Sequence, residues 1–160
     1  HPQKRLKDNI AIFKKLQKTY DTSCLIVLGN NPEVVADPHI FYTGSVPHDV
    51  CLEIYSIADW MIHAAWLDHC PNVVVEALSQ GLPVICTDSG GTKEIVKTNG
   101  LVLADAAYNF ELMDYDNPPR VDLTLVPEEL PTVIVDNSYL DIKLVAEKYE
   151  SLFKKLMSEK

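Results

Sequence analysis

The sequence predicts an α/β fold in three layers, a parallel sheet with helices on both faces, and three observations carry that prediction. Apolar strand-like runs recur near 24–28, 39–42, 60–65, 83–87 and 101–103, with helical periodicity between most of them. The runs are continuously apolar rather than alternating, as strands covered on both faces must be. The stretch 68–96, DHCPNVVVEALSQGLPVICTDSGGTKEIV, orders loop, helix, tight turn, buried strand, glycine loop and second helix start in direct succession.

Residues 6–20 read as an amphipathic helix, with Leu6, Ile10, Phe13, Leu16 and Tyr20 inward and Lys7, Lys14, Lys15 and Lys18 outward. Two strands follow, then a helix over 48–59. The apolar run 60–67 is a buried strand that emerges at Asp68. Pro71 suits the first helical position, since it lacks an N–H and its φ is already helical. Residues 72–80 continue as helix, with Val73, Val74, Ala77 and Leu78 as the apolar face. Gly81 stands where a left-handed terminal residue is wanted, and Pro83 forbids continuation. Residues 84–87 are a second buried strand. In the loop 88–92, Gly90 and Gly91 allow backbone to come close to a ligand. Residues 92–97 start the next helix, and Asn99-Gly100 turns into the last strand.

Residues 105–137 break the rhythm. Pro118, Pro119, Pro127 and Pro131 lie among acids without helical period, which reads as a long irregular connection of the kind that often lies over a site or partner surface. A final helix is expected over 138–158, with Ser138 and Asp141 at capping-box spacing. Its stripe of Ile142, Val145, Tyr149, Leu152, Phe153 and Leu156 is expected to pack on the core. The expected organisation is one domain over 1–160: a core to 104, the connection, and the terminal helix.

Composition narrows the function. The 160 residues are 47% hydrophobic and 8% aromatic, as a globular domain able to bury a full core would be. The net charge of −9 argues against a nucleic-acid partner, which needs a basic face, but leaves open a nucleotide, whose phosphates need only local positive groups. No apolar run approaches the roughly 18 residues of a membrane span. No signal-peptide pattern opens the chain, so a cytoplasmic location is expected. Cys24, Cys51, Cys70 and Cys86 lack the C-x2-C spacing of a zinc ribbon, and three of them lie in apolar patterns that read as small buried hydrophobes of a reduced protein. His63, His69 and Cys70 suggest zinc, but three ligands with no fourth are a weak set, and His63 reads as a core or strand-end histidine with no metal.

The candidate site is built from 68–92. Two helix N-termini, at Pro71, Asn72, Val73 and Val74 and at Gly90, Gly91 and Thr92, are expected beyond the carboxyl ends of two strands. Their free N–H groups and positive dipole ends suit an anion there. Glu76 lies about 7 Å along its helix at 1.5 Å per residue, roughly the distance from a diphosphate to its ribose. Asp68 lies on the other side, where a sugar would hang. A nucleotide-sugar fits this arrangement.

Asp68-x7-Glu76, followed by Ala77, Gly81, Pro83 and Gly90-Gly91, resembles the acid-x7-Glu signature of the glycosyl transferases group 1 family. These are retaining glycosyltransferases of the GT-B fold, with two Rossmann-like halves, and the likeness runs over residues 1–104. The family's usual first acid is Glu; here it is the shorter Asp68. Residues 25–30 resemble its strand and glycine turn, and 41–46 the strand and loop that hold the base, which implies donor contacts at Gly44, Ser45 and Val46. Pro2-Gln3-Lys4 resembles the Pro-x-Lys piece of its phosphate clamp, with Lys4 and the adjacent Arg5 both open as the phosphate cation. The resemblance implies the C-terminal, donor-binding half of such an enzyme, with catalytic roles for Lys4, Asp68 and Glu76. It implies a nucleoside diphosphate sugar as substrate, no metal or other cofactor, and a covalently linked N-terminal acceptor domain through which a membrane-bound acceptor would be reached. The chain alone is then expected to bind a nucleotide-sugar weakly and transfer nothing. Two alternatives stay open: a nucleotide-sugar epimerase or phosphorylase of the same architecture, and a non-catalytic α/β interaction module.

Overall fold

The computed structural model describes residues 1–31, 34–109, 112 and 114–158. A 3-10 turn, Pro2–Lys4, leads into α1 (Leu6–Leu16), β1 (Leu25–Leu28), β2 (Ile40–Gly44), α2 (His48–Ile57), β3 (Met61–His63), α3 (Asn72–Ser79), β4 (Val84–Thr87), α4 (Thr92–Val96) and β5 (Gly100–Leu103). Two further 3-10 turns, Leu123–Leu125 and Ser138–Leu140, precede α5 (Ile142–Ser158). Every strand pairing is parallel, as the continuous apolar runs predict.

β4 is buried along its whole length and divides the core. Val84 and Cys86 face one cluster with Tyr55, Val74, Ala77, Leu78, Leu82 and Val96, drawn largely from α2, α3 and α4. Ile85 faces the other with Ile12, Leu16, Ala64, Leu103, Val121 and Val126. The period-two alternation of a strand thus sets helices on both faces, which is the expected three-layer arrangement.

The sheet itself differs from the expectation. It is two parallel sheets, β1-β2 and β3-β4-β5, rather than one. β3 stops at His63 because the next amides are taken elsewhere: Ala64 N–H donates to the Asn9 carboxamide at 3.0 Å and Trp66 N–H to the Gln3 carbonyl at 2.9 Å. Side chains bridge the gap, with Ile62 packed against Ile10, Phe13, Val27 and Ile40.

Other boundaries shift for local reasons. α1 ends at Leu16, and Tyr20 is not in the core; its hydroxyl accepts the Leu130 amide at 2.9 Å. Asp8 is buried instead, held by the Arg120 guanidinium at 2.6 Å. Pro71 is the residue before the first helical position rather than that position. Gly81 has the expected left-handed φ of 80°. Of the four cysteines only Cys86 is buried. Cys24 precedes β1 and Cys70 lies in the loop before α3, where neither is covered, and Cys51 is half-buried on α2.

Among its described residues the segment 105–137 is irregular apart from the turn Leu123–Leu125, and part of it belongs to the core. Val121 and Val126, 6% and 1% exposed, complete the second core cluster. Further along, Asn99 ties down Asp136 by two hydrogen bonds of 3.0 and 2.8 Å. Phe110, Glu111 and Met113 lie outside the described residues. A second correction concerns α5. It forms, capped by the Asp141 carboxylate on the Lys143 amide rather than by Ser138, but none of its residues is buried. Val121 and Val126 belong to one core cluster and Val135 packs against the other. No helix among the described residues is long and apolar enough to cross a membrane.

The segment 105–137 makes a measurable difference in stability. Val126→Ala should cost about 1–3 kcal/mol in denaturant unfolding, as a buried methyl deletion with its cavity does. Ile134→Ala, in the same segment but 92% exposed, should change it by less than about 0.5 kcal/mol.

Candidate functional site

Of the predicted residues, Lys4, Asp68, Gly90, Gly91 and Thr92 meet beyond the carboxyl ends of β3 and β4. After His63 the chain runs buried to Leu67, whose φ of 49° turns it outward at Asp68. α3 begins three residues beyond the next one, at Asn72, with no side chain capping its N-terminus, so its first amides face outward without an intrahelical acceptor. From the other side, α4 is aimed at the same place. The Gly91 amide donates to the Asp68 carbonyl at 3.0 Å and the Thr92 hydroxyl to the same oxygen at 3.3 Å.

Gly90 and Gly91 are needed here because of what lies against them. A Cβ on Gly90, at φ 75°, would sit 2.6 Å from the Asp68 carbonyl oxygen, and one on Gly91 would collide with the His69 carbonyl. The immediate neighbour of the two glycines is therefore the 67–69 backbone.

Asp68 is the most heavily engaged side chain. Its Oδ2 accepts from Lys4 Nζ at 2.5 Å and lies 3.1 Å from His63 Nε2. The hydrogen bond from His63, and after it that from Lys4, hold the carboxyl down to about 2 against the opposing effect of burial. It is therefore a carboxylate at neutral pH, and since a carboxylate only accepts, Nε2 carries the His63 proton. His63 is the strand-end histidine the sequence suggests, 8% exposed. Among the described residues no three His, Cys, Asp or Glu side chains gather closely enough to hold a metal ion.

Lys4 and Arg5 part company. Lys4 remains half exposed beside Asp68, whereas the Arg5 guanidinium is fully buried. Arg5 takes a left-handed φ of 50°, lies 5.0 Å over the Trp66 ring, and donates to Asp105 through its two terminal nitrogens, Nη1 and Nη2, at 2.5 and 3.2 Å. Ser89 donates to Asp105 at 3.0 Å and contacts Thr87 at 2.9 Å, which joins the 3-10 turn to the end of β4. Lys4 is thus the cation left at the surface.

Glu76 lies on the outer side of α3, partly exposed, with Oε1 3.3 Å from His48 Nε2 at the start of α2. The β2–α2 loop stands beside it. Gly44 has a left-handed φ of 66°, the Ser45 amide donates to the Asn30 carboxamide at 3.1 Å, and Val46 is half-buried. Asn72 and Val73 are exposed at the helix start, whereas Pro71 and Val74 are buried beneath it. Sequence reasoning missed His63 as the partner of Asp68, His48 as the partner of Glu76, and Asp105. None stands at a spacing that announces its contact. A shallow groove of about 500 Å³ between α1 and the turn Leu123–Leu125 shares no residue with this cluster, and Lys15 there is tied to the Leu123 carbonyl.

Comparison with known proteins gives the family and the fold. The profile of the family described as "Glycosyl transferases group 1" matches residues 1–111. A putative teichuronic acid biosynthesis glycosyltransferase, TuaC, of Bacillus subtilis is 29% identical over 94 residues, which is 57% of this chain and 24% of that protein. A GDP-mannose-dependent alpha-mannosyltransferase of Mycobacterium tuberculosis is 32% identical over 81 residues, 49% of this chain and 21% of that one. The crystal structure of AviGT4, a glycosyltransferase involved in avilamycin A biosynthesis, superposes with a TM-score of 0.54 at 18% identity, covering 99% of this chain and 49% of its own. That likeness shows the fold, α/β with parallel sheets flanked by helices as in a GT-B enzyme. The chain spans about a quarter or less of the curated relatives' length and about half of the solved one.

Two measurements test this geometry. Asp68 has a lowered pKa in the folded protein, so its contribution is present above the unfolded value near 4 and is lost as pH falls toward about 2. Asp68→Asn should therefore be less stable at neutral pH, on the order of 1–2 kcal/mol given the exposure of Lys4, and should converge with the unsubstituted protein in acid. Asp105→Asn should cost roughly 3–5 kcal/mol in chemical unfolding, because it strands the buried Arg5 charge.

Proposed function

We propose a function for a chain that belongs to the glycosyl transferases group 1 family: it is the nucleotide-sugar-binding part of a retaining glycosyltransferase. What supports this is Lys4 on the Asp68 carboxylate in the loop before α3, the uncapped N-terminus of that helix, and Glu76 about one turn further along it.

In this reading the diphosphate rests on the Asn72 and Val73 amides, where the helix dipole favours negative charge. Glu76, further along the same helix, accepts from the ribose hydroxyls. The base lies by Gly44, Ser45 and Val46, and the hexosyl group hangs toward Asp68. When the bond from the anomeric carbon to the phosphate oxygen breaks, charge develops on the departing nucleoside diphosphate. Lys4 and the α3 amides stabilise it, which is electrostatic catalysis by groups already in place. The acceptor hydroxyl forms the new bond from the face the diphosphate leaves, with retention, and its proton passes to the departing phosphate oxygens. No step calls on a metal, because Lys4 and the helix amides meet the charge. The acceptor site belongs to protein beyond this chain.

Thermal-shift titration with UDP-, GDP- and ADP-sugars tests the reading directly, since a ligand that binds only the folded state raises the melting temperature. One of the three should do so saturably. Lys4→Ala and Glu76→Ala should each weaken that ligand roughly 10- to 100-fold, as loss of a charge-assisted bond does. If none of the three shifts the transition, the donor-site reading fails. In the intact enzyme Glu76→Ala should abolish transfer; an active variant would favour a non-catalytic module.

A further inference from the structure

We propose that His63 is a positioning residue for the donor site: when a nucleoside diphosphate draws the Lys4 ammonium away from Asp68, His63 takes up a proton and becomes the cation that holds that carboxylate. This rests on the donor-site reading above and adds to it a residue and a proton that the reading does not contain.

The geometry begins with one oxygen. Asp68 Oδ2 is shared, with Lys4 Nζ at 2.5 Å and His63 Nε2 at 3.1 Å. The two partners differ in freedom. The Lys4 side chain is 51% exposed, on a flexible stem in the 3-10 turn, while the imidazole is 9% exposed at the end of β3. Of the two, Lys4 is the group that can follow a ligand. The Asp68 side chain is only 13% exposed, so it cannot exchange a lost cation for full hydration. Stranding a buried carboxylate is costly, and a histidine already in contact is the side chain whose charge can change near neutral pH.

The surroundings leave His63 as the group that answers. From β4, Cys86 stands beside it in register, and burial pushes that thiol up to about 12, so it stays neutral. From α1 the neighbouring contact is the uncharged Asn9 carboxamide on the Ala64 amide, and Asp8 is paired with Arg120. From the turn, Arg5 is neutralised by Asp105. From the loop, Asp68 is held low first by the hydrogen bond from His63, a contact that stays when Lys4 leaves, so it is a carboxylate that the imidazole faces. With Nε2–H already committed to Asp68, the incoming proton goes to Nδ1, and it comes from solvent.

The sign follows. Binding that takes up a proton tightens as pH falls. Calorimetric titration with UDP, GDP and ADP in buffers of different ionisation enthalpy reads the protons taken up, and His63→Gln, which keeps an N–H for Asp68 but cannot ionise, is the reference. The unsubstituted protein should take up more protons per nucleotide bound than the variant. Its affinity should rise several-fold from about pH 8 to about pH 6, while that of His63→Gln stays comparatively flat. Should His63→Gln not fold, the His63 ring resonances of the unsubstituted protein must still move to their protonated positions on addition of the nucleotide that binds. Nucleotide binding with equal proton uptake in both proteins, or with unmoved ring resonances, overturns this inference and leaves the donor site standing. Binding of none of the three nucleotides overturns both.

Discussion

The backbone at residues 67–69 and the loop that ends β4 run so close together that no side chain fits between them. A Cβ on Gly90 would approach the Asp68 carbonyl to 2.6 Å, and the Gly91 amide closes that contact with a hydrogen bond of 3.0 Å. The rest of the site follows from this approach. It brings the start of α4 against the residue that precedes α3, so two helix beginnings open onto one place. It also fixes the Asp68 main chain from behind, through the Thr92 hydroxyl, while its side chain is fixed from the strand side through His63. A larger residue at 90 or 91 would move both helix starts apart before it touched any ligand.

The first turn of the chain is part of the same assembly. Gln3 supplies the acceptor that ends β3, Lys4 meets Asp68, and Arg5 enters the protein to meet Asp105. A buried ion pair contributes little net stability against a well-packed apolar alternative. Its consequence here is positional. The left-handed φ at Arg5 aims two successive cations in opposite directions, one into the protein and one to the surface. The Ser89 and Thr87 hydroxyls extend the buried pair to the end of β4, so the position of Lys4 is referred to the strand from which the glycine loop departs.

What was legible in the sequence is what local forces decide. Gly81 and Pro83 end α3 through backbone geometry alone, and β4 is buried along its length because it has no polar face to expose. The acid-x7-Glu spacing places Asp68 and Glu76 on either side of one helix start. What was not legible depends on chain brought from far away. β3 is cut short by Gln3 and Asn9, residues near the other end of the matched region, which no local pattern reveals. Val121 and Val126 sit in a proline-broken stretch without periodicity, yet they belong to the core, while the periodic stripe of α5 is not buried. His63 was weighed as a metal ligand or a core residue, because its pairing with Asp68 rests on the turn at Leu67 rather than on spacing.

Both acids of the motif are satisfied before any ligand arrives: Asp68 by Lys4 and His63, Glu76 by His48. A ligand that uses these acids therefore exchanges partners instead of filling vacancies, and the contacts it displaces are subtracted from its affinity. In return, the carboxylates hold their places without ligand, in a protein whose net charge of −9 would otherwise repel a diphosphate. The two exchanges are unequal. His48 is largely exposed and loses little on release, whereas Asp68 is nearly buried and needs a replacement for any cation that leaves. The Asp68 side chain fits this asymmetry: it is short and stays back beyond the strand end, within reach of the imidazole, while Lys4 stands half exposed beside it.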